Sequence, residues 1–428
     1  MADNAATGTT RAKVEASLGR RRRHEMLFRG FGVIATLVGV LFLVFFFWTL
    51  LGQGSSAFMQ TFIELEVEFS EDVLAPDGEI DFAYADFDAL ARAALRKKFP
   101  EVSGRGERRE LNRLLSVGAG YQIKERIEGN PSLLGDTVVM QVPAAANVDM
   151  VMKGNIDRNL LQEQRPVSDQ QIAWIDALVA DGSLIAKFNT ALFTNGDSRE
   201  PELAGIRGAL MGSFYMLLIT VSLSFPIGAA AAVYLEEFAP KNRWADLIEV
   251  NINNLAAVPS IVFGLLGLAV FINWMAIPRS APLVGGLVLS LLTLPVIIIA
   301  ARAAIKAVPP SIREAALGLG ASRMQVVFHH VLPLALPGML TGTIIGMSRA
   351  LGESAPLLMI GMVAFIVDVP AGFSDPATAL PVQIYLWADS PERAFAERTS
   401  AAIIVLLGFL LLMNLAAVII RKKVERRW

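Results

Sequence analysis

The sequence contains no cysteine. That excludes a thiolate metal site, a cysteine nucleophile and any disulfide, while the redox compartment stays open, because proteins of oxidising compartments need not use disulfides. Histidine is nearly absent as well, occurring as His24, His329 and His330. The last two are adjacent, and side chains one residue apart diverge on a helix, so they read as a solvated or packed pair and no metal site is expected. Neither H-E-x-x-H nor G-x-S-x-G is written anywhere, so an intramembrane hydrolase has no signature here and no catalytic residue is expected. No lysine is followed by serine or threonine, which removes the P-loop that cradles nucleotide phosphates. Charge is scarce: 18% of the 428 residues are charged against 54% hydrophobic, and the net charge of −2 gives no reason to expect nucleic acid.

What the chain does have is long apolar runs. Charge-free stretches cover 30–51, 208–235, 250–278, 280–301 and 399–420, each long enough for the ~20 residues of a spanning helix. A fifth span in chain order, 331–367, is 37 residues long, about 55 Å as one helix against a hydrocarbon core of about 30 Å. It must tilt, bend or break, with Gly352 and Pro356 as the natural break and Pro333 and Pro337 at its entry. The expectation is therefore an all-α polytopic membrane protein with six transmembrane helices in a lipid bilayer, the first of them an anchor at 30–51. Arg20 to Arg23 before that run also suit a signal peptide, and Ser55-Ser56-Ala57 is a small-x-small cleavage site, but 22 apolar residues exceed a signal core.

Residues 52–206 break the pattern. They hold 15 Lys/Arg against 25 Asp/Glu, a net −10, and read as an inserted, soluble α+β domain. Ile63, Leu65, Val67 and Phe69 alternate with Glu64, Glu66 and Glu68, a half-buried strand. Helices are expected over 85–99, 108–117 and 172–180, the last with a Ser168/Gln171 capping box and Gly182 as its stop. A net −10 surface repels free anions, so docking or assembly suits it better than substrate capture.

Lysine and arginine number seven in 1–29, two in 236–249, three in 302–330 beyond Arg302, and five in 421–428, against three in the short loops 279–283 and 369–398. The positive-inside rule then places both termini, the basic tails 1–29 and 421–428, in the cytoplasm and 52–206 outside.

Between the fourth and fifth spans the chain reads PPSIREAALGLGASRMQVVFHHVLP over 309–333. Two short helices are expected: Ser311 caps the first with Glu314 reaching back, Gly318 or Gly320 ends it in a left-handed turn, and Ser322 with Gln325 repeats the box. The small residues Ala315, Ala316 and Gly320 leave a face that another protein can approach closely. At these residues the chain resembles the inner-membrane subunits of ATP-binding-cassette (ABC) importers of type I. Their cytoplasmic loop is written E-A-A-x3-G-x9-I-x-L-P, and Glu314, Ala315, Ala316, Gly320, Leu332 and Pro333 fall at its spacing, with His330 in the Ile position. The resemblance implies that this hairpin, 309–333 within a permease domain 207–420, docks on a separate ATPase, so that ATP is used by a partner chain and no cofactor is bound by this one.

Arg349 and Glu353 interrupt the long fifth span at spacing i, i+4 and meet on one helix face. A passing oxyanion suits the planar guanidinium, with Glu353 as the resting counter-ion; an ion pair that only fixes packing is the alternative. Arg302 reads as an interfacial, snorkelling residue. VPSIVFGLLGLAVF at 258–271, Leu294-Pro295 and RALGESAPLL at 349–358 resemble the phosphate-specific importers, the last phrase most of all their PstA-type subunits, over about 204–420. That resemblance implies inorganic phosphate as cargo, a PstC-like second permease subunit, a PstB-like ATPase dimer, a PstS-like extracytoplasmic phosphate-binding protein, and the bacterial inner membrane. The residues themselves do not separate phosphate from sulfate or molybdate. A membrane sensor is the other class, but no cytoplasmic segment exceeds about 30 residues, too few for an output domain.

Overall fold

The structure is a computed structural model that describes residues 3–75, 80 and 82–424. The chain divides into two compact units, 1–53 and 54–428. The first consists of one helix, α1 (Asp3–Gly54). Helical structure starts well ahead of the apolar run, so the basic stretch continues the same helix, with Arg29 paired to Glu25 one turn back at 2.6 Å.

In the second unit, a turn at Ser56–Phe58 leads into β1 (Met59–Glu68). Then come α2 (Glu71–Leu74), α3 (Phe87–Lys98), α4 (Arg105–Asn112), α5 (Gly118–Gly129), β2 (Thr137–Pro143), α6 (Ala146–Met152), α7 (Asp169–Ala180), β3 (Leu184–Phe188) and α8 (Ala191–Thr194). β1 is central in a sheet of order β2-β1-β3 and antiparallel to both neighbours, with Leu65 opposite Met140 and Thr61 opposite Ala186. Its alternation sends Ile63, Leu65 and Val67 into a core shared with Leu95, Leu111, Ile123 and Ile175 from the helices. The helix expected over 108–117 is displaced to Arg105–Asn112. The chain leaves it because Ser116 donates its N–H to Pro143 and Leu115 bridges Ala144, extending the pairing at the end of β2. α7 carries both bonds of the Ser168/Gln171 capping box, and Gly182 closes it at φ +72°.

The remaining helices are α9 (Arg207–Val233), α10 (Arg243–Ala256), α11 (Ser260–Gly267), α12 (Pro282–Lys306), α13 (Pro310–Gly318), α14 (Arg323–Val326), α15 (Leu332–Gly352), α16 (Ala355–Met359), α17 (Leu380–Ala388) and α18 (Ala394–Val424). Among the described residues five helices are long and apolar enough to cross a membrane, or six if one bent pair is a single span. That pair corrects the expectation of a continuous span at 250–278. α10 and α11 meet at 99°, because Pro259 has no N–H to continue α10 and biases Val258 away from helical geometry. The long fifth span is broken where α15 ends at Gly352 and Glu353 turns extended; Pro356 lies past the break, in the first turn of α16.

α12 lies against α9 and α15, and small residues set the approach. A Cβ on Gly342 would stand 2.2 Å from the Ala300 Cβ, and one on Gly286 would stand 2.6 Å from Ile219, so neither position admits alanine without movement. The α+β region and α18 are joined by buried charge. Lys153, at the end of α6, reaches Asp149 at 2.7 Å and Glu397 at 2.6 Å, and the three side chains are only 9–11% exposed. Asp149 also accepts from the Thr61 N–H and hydroxyl, which ties the group to β1. Beside it, Arg398 is buried with Nη1 unpartnered. Apolar packing of Ala57 and Leu192 with Ala209, Trp387, Phe395 and Ala401 completes the joint.

Candidate functional site

The first helix of the hairpin between α12 and α15 starts two residues earlier than its sequence suggested. Pro310 occupies the first helical turn and Pro309 is the N-cap, with no side-chain cap. Proline's fixed φ suits the first turn, so the proline pair sets the start and Ser311, expected as the cap, lies inside the helix. The end is a Schellman turn on Gly320, at φ +87°: Ala321 donates to the Ala316 carbonyl at 3.1 Å and Gly320 to that of Leu317 at 2.9 Å. Gly318 stays helical. Ser322 and Gln325 then make both bonds of a capping box and launch α14. A π-helical turn, Val327–Val331, carries the chain into α15.

The expected small-residue face divides in two. Ala316 is 5% exposed and packs with Ile305, Val326, Val327 and Val331 in the hairpin's own core, with Leu332 at its margin. Its side chain is therefore covered by the bundle, and its neighbours make up the exposed part of the face. Glu314, Ala315 and Gly320 are exposed, together with Leu319 at 90% and Met324 at 55%. Two such apolar side chains in solvent beside a small-residue helix face form a surface suited to a protein groove. Pro333 is half-buried in the first turn of α15.

Sequence reasoning missed what holds the hairpin. Arg313 donates to Glu237 Oε1 through Nε at 3.1 Å and Nη2 at 2.8 Å, and to the carbonyls of Val308 (2.7 Å) and Ile305 (2.9 Å). Glu237 lies in a π-helical turn, Tyr234–Phe238, that finishes α9. The neighbouring Glu236 meets Arg302 at 2.5 Å and Lys306 at 3.4 Å, while Arg302 also takes Glu249 of α10 at 2.7 Å. Arg302 is thus a buried, paired residue, 9% exposed, in place of the snorkelling one expected. The signal was in the sequence: two glutamates end one apolar run and an arginine ends another at the same end of the bundle.

Arg349 and Glu353 do meet, Nε to Oε1 at 3.4 Å. The contact is long for a charge-assisted bond, and the Arg349 side chain is 45% exposed where its own chain leaves it uncovered. The guanidinium is accordingly available to another group. Among the described residues no cluster of His, Cys, Asp and Glu could hold a metal ion.

Residues 224–428 match the family model for the binding-protein-dependent transport system inner membrane component, and residues 15–162 match a domain of unknown function (DUF3333). The phosphate transport system permease protein PstA 1 of Mycobacterium tuberculosis (strain CDC 1551 / Oshkosh) is 32% identical over 228 residues, which is 53% of this chain and 74% of that protein. The probable ABC transporter permease protein YqgI of Bacillus subtilis (strain 168) is 36% identical over 175 residues, 41% of this chain and 59% of that protein, so this match spans less than two thirds of it. Among solved structures, an inward-facing form of the MetNI methionine ABC transporter aligns with 52% of this chain and 96% of that chain, at 22% identity and a TM-score of 0.42.

Proposed function

The chain belongs to the inner-membrane components of binding-protein-dependent transport systems, in the company of the PstA permeases, and from that premise we propose that it is a permease subunit importing inorganic phosphate. Its role is transport, with ATP hydrolysed on a partner ATPase dimer of the PstB kind. A PstC-like second permease subunit completes the path and a PstS-like extracytoplasmic binding protein delivers the cargo. The proposed layout is the basic tail 1–29, the anchor 30–51, an extracytoplasmic domain 52–206, the permease domain 207–420 and the tail 421–428, whose residues 425–428 lie outside the described ones. Both termini face the cytoplasm.

One observation carries this reading: Glu314, Ala315 and Gly320 stand exposed on a hairpin whose other side is packed into the bundle, so force applied there has a path inward. In operation, a loaded binding protein docks outside and the permease pair opens a path. Closure of the ATPases below is passed on through 309–333. Arg349 offers its fork to the oxyanion in transit while Glu353 is the resting counter-ion.

Radiolabelled phosphate uptake at low external phosphate, in cells with and without the gene and with excess sulfate or molybdate as competitor, tests the cargo. Loss of uptake on deletion, insensitive to the competitors, is expected; unchanged uptake would move the cargo to another oxyanion. Arg349→Ala should lower uptake at least tenfold with the complex still assembled, and undiminished uptake would make the pair a packing feature.

A further inference from the structure

We propose that Arg313 is the positioning residue that fastens the docking hairpin to the transport helices, so that movement of the ATPase becomes movement of α9 and α12. The proposal rests on the reading of the hairpin as an ATPase contact. It starts from how one guanidinium is used. Arg313 lies one residue before Glu314, yet it points inward where Glu314 points out. Its Nη1 and Nη2 hold the carbonyls of Val308 and Ile305 where α12 ends, the Ile305 carbonyl accepting from the Val308 N–H at 3.2 Å as well. Its Nε and Nη2 hold Glu237, at the end of α9. A single planar side chain therefore spans three elements: the hairpin, the end of α12 and the end of α9.

The supporting apolar contacts are modest by comparison. Ala316, Val326 and Val331 share a buried cluster with Ala232, Val233, Ala301 and Ile305, apolar contacts that have no direction of their own. A fork with four directed hydrogen bonds resists both rotation and withdrawal, and lysine, a point charge with no fork, does not replace it. The ladder continues through Glu236, Arg302 and Glu249, which adds α10 to the same assembly. α12 in turn packs on α15, which carries Arg349. A displacement entering at Ala315 thus reaches the helix of the proposed cargo contact through one ionic anchor and one helix pair.

The experiment uses the full complex of both permease subunits, ATPase and binding protein in proteoliposomes, comparing wild type with Arg313→Gln and Arg313→Lys. The expected result is normal co-purification of the ATPase, continued ATP hydrolysis, and phosphate taken up per ATP lowered at least tenfold in Arg313→Gln. Arg313→Lys should be intermediate, and Glu237→Arg combined with Arg313→Glu should recover part of the ratio. An unchanged ratio would overturn the proposal, as would loss of ATPase co-purification, which would make Arg313 a part of the docking surface itself. A wild-type complex that hydrolyses ATP without moving phosphate would sink the cargo reading alone. For that case a fluorophore on Gly352→Cys, in a chain with no native cysteine and at a position where an added Cβ meets nothing, reports ATP-driven movement of α15 whatever the cargo. The signal should be present in the wild-type background and absent with Arg313→Gln; its survival there would refute the anchor.

Discussion

Among the described residues of the second unit, two buried ionic clusters join distant elements, and they are built differently. The one at the start of α18 joins Asp149, Lys153 and Glu397 with all three side chains close to one tenth exposed, pins β1 through Thr61, and is backed by a continuous apolar joint. The one at the end of α9 joins Glu236, Glu237, Arg302 and Arg313, but its edges are wet: the Glu249 side chain is 45% exposed and that of Lys306 61%. Charges buried on every side have no water to turn to when a partner leaves, so their geometry is fixed. Charges at a wet edge exchange partners at little cost, which suits a place where elements must shift. The difference indicates that the α+β region is fused to α18, whereas α10 is articulated on α12 through the hydrated Glu249, beside the hairpin that Arg313 holds fast.

Removing one member of each cluster measures that contrast. Lys153→Ala leaves Asp149 and Glu397 with only the neighbouring Arg398 as counter-charge and should cost about 3 kcal/mol of stability, read as a lowered unfolding midpoint in detergent. Combining it with Glu397→Ala should cost less than the two single changes added together. Arg302→Gln should cost less, about 2 kcal/mol, because Lys306 remains 3.4 Å from Glu236 and Glu249 is free to hydrate. Equal losses in the two variants would erase the distinction between fused and articulated joints.

Gly320→Ala comes next. Space is open around this residue, so the whole effect is the left-handed backbone at φ +87°, about 1 kcal/mol. It should weaken ATPase co-purification with little change in the unfolding midpoint of the rest. The smallest effect is a pH dependence. Burial pushes the Glu202 carboxyl above its usual range, although hydrogen bonding by Ser116 opposes this. The folded chain then holds that proton more tightly than the unfolded one, so this group's contribution falls as pH rises from the ordinary carboxylate range through the raised value. Glu202→Gln should remove that slope and slightly raise the unfolding midpoint at neutral pH; an unaltered slope in pH-dependent melting would place its origin elsewhere.

Legibility in the sequence followed where the determining physics was local. The alternation of β1, the Ser168/Gln171 and Ser322/Gln325 boxes, the left-handed Gly320 and the break after Gly352 all depend on a few neighbouring residues, and each stands where its pattern put it. Features that depend on a distant partner were not legible. β2 and β3 flank β1 and are partly exposed, with Phe188 57% in solvent, so their residues do not alternate cleanly. The 99° bend was hidden because the charge-free run 250–278 continues across Pro259. Ala315 and Ala316 are the same residue type side by side, and only the packing of α14 and α12 decides which of them is covered. Arg302 and Arg313 were misread or overlooked because their carboxylates are 66 and 76 positions away, and only the matching charges at one end of the bundle pointed to them.

The π-helical turns have a consequence of their own. Such a turn is an α-helix carrying one surplus residue, which rotates everything beyond it by about 100° relative to an uninterrupted helix. Two of the three among the described residues, Tyr234–Phe238 and Val327–Val331, lie at the end of α9 and at the base of the hairpin, on either side of Arg313. Deleting a single residue from either would leave a chemically ordinary helix; in Tyr234–Phe238 it would touch no motif, and in Val327–Val331 it would change only the Gly320-to-Leu332 spacing. It would nevertheless aim Glu237, or the whole exposed face of the hairpin, in a different direction. At these two places the length of the chain matters more than the identity of its residues, and an alignment scored by residue type alone would pass a non-functional variant as intact.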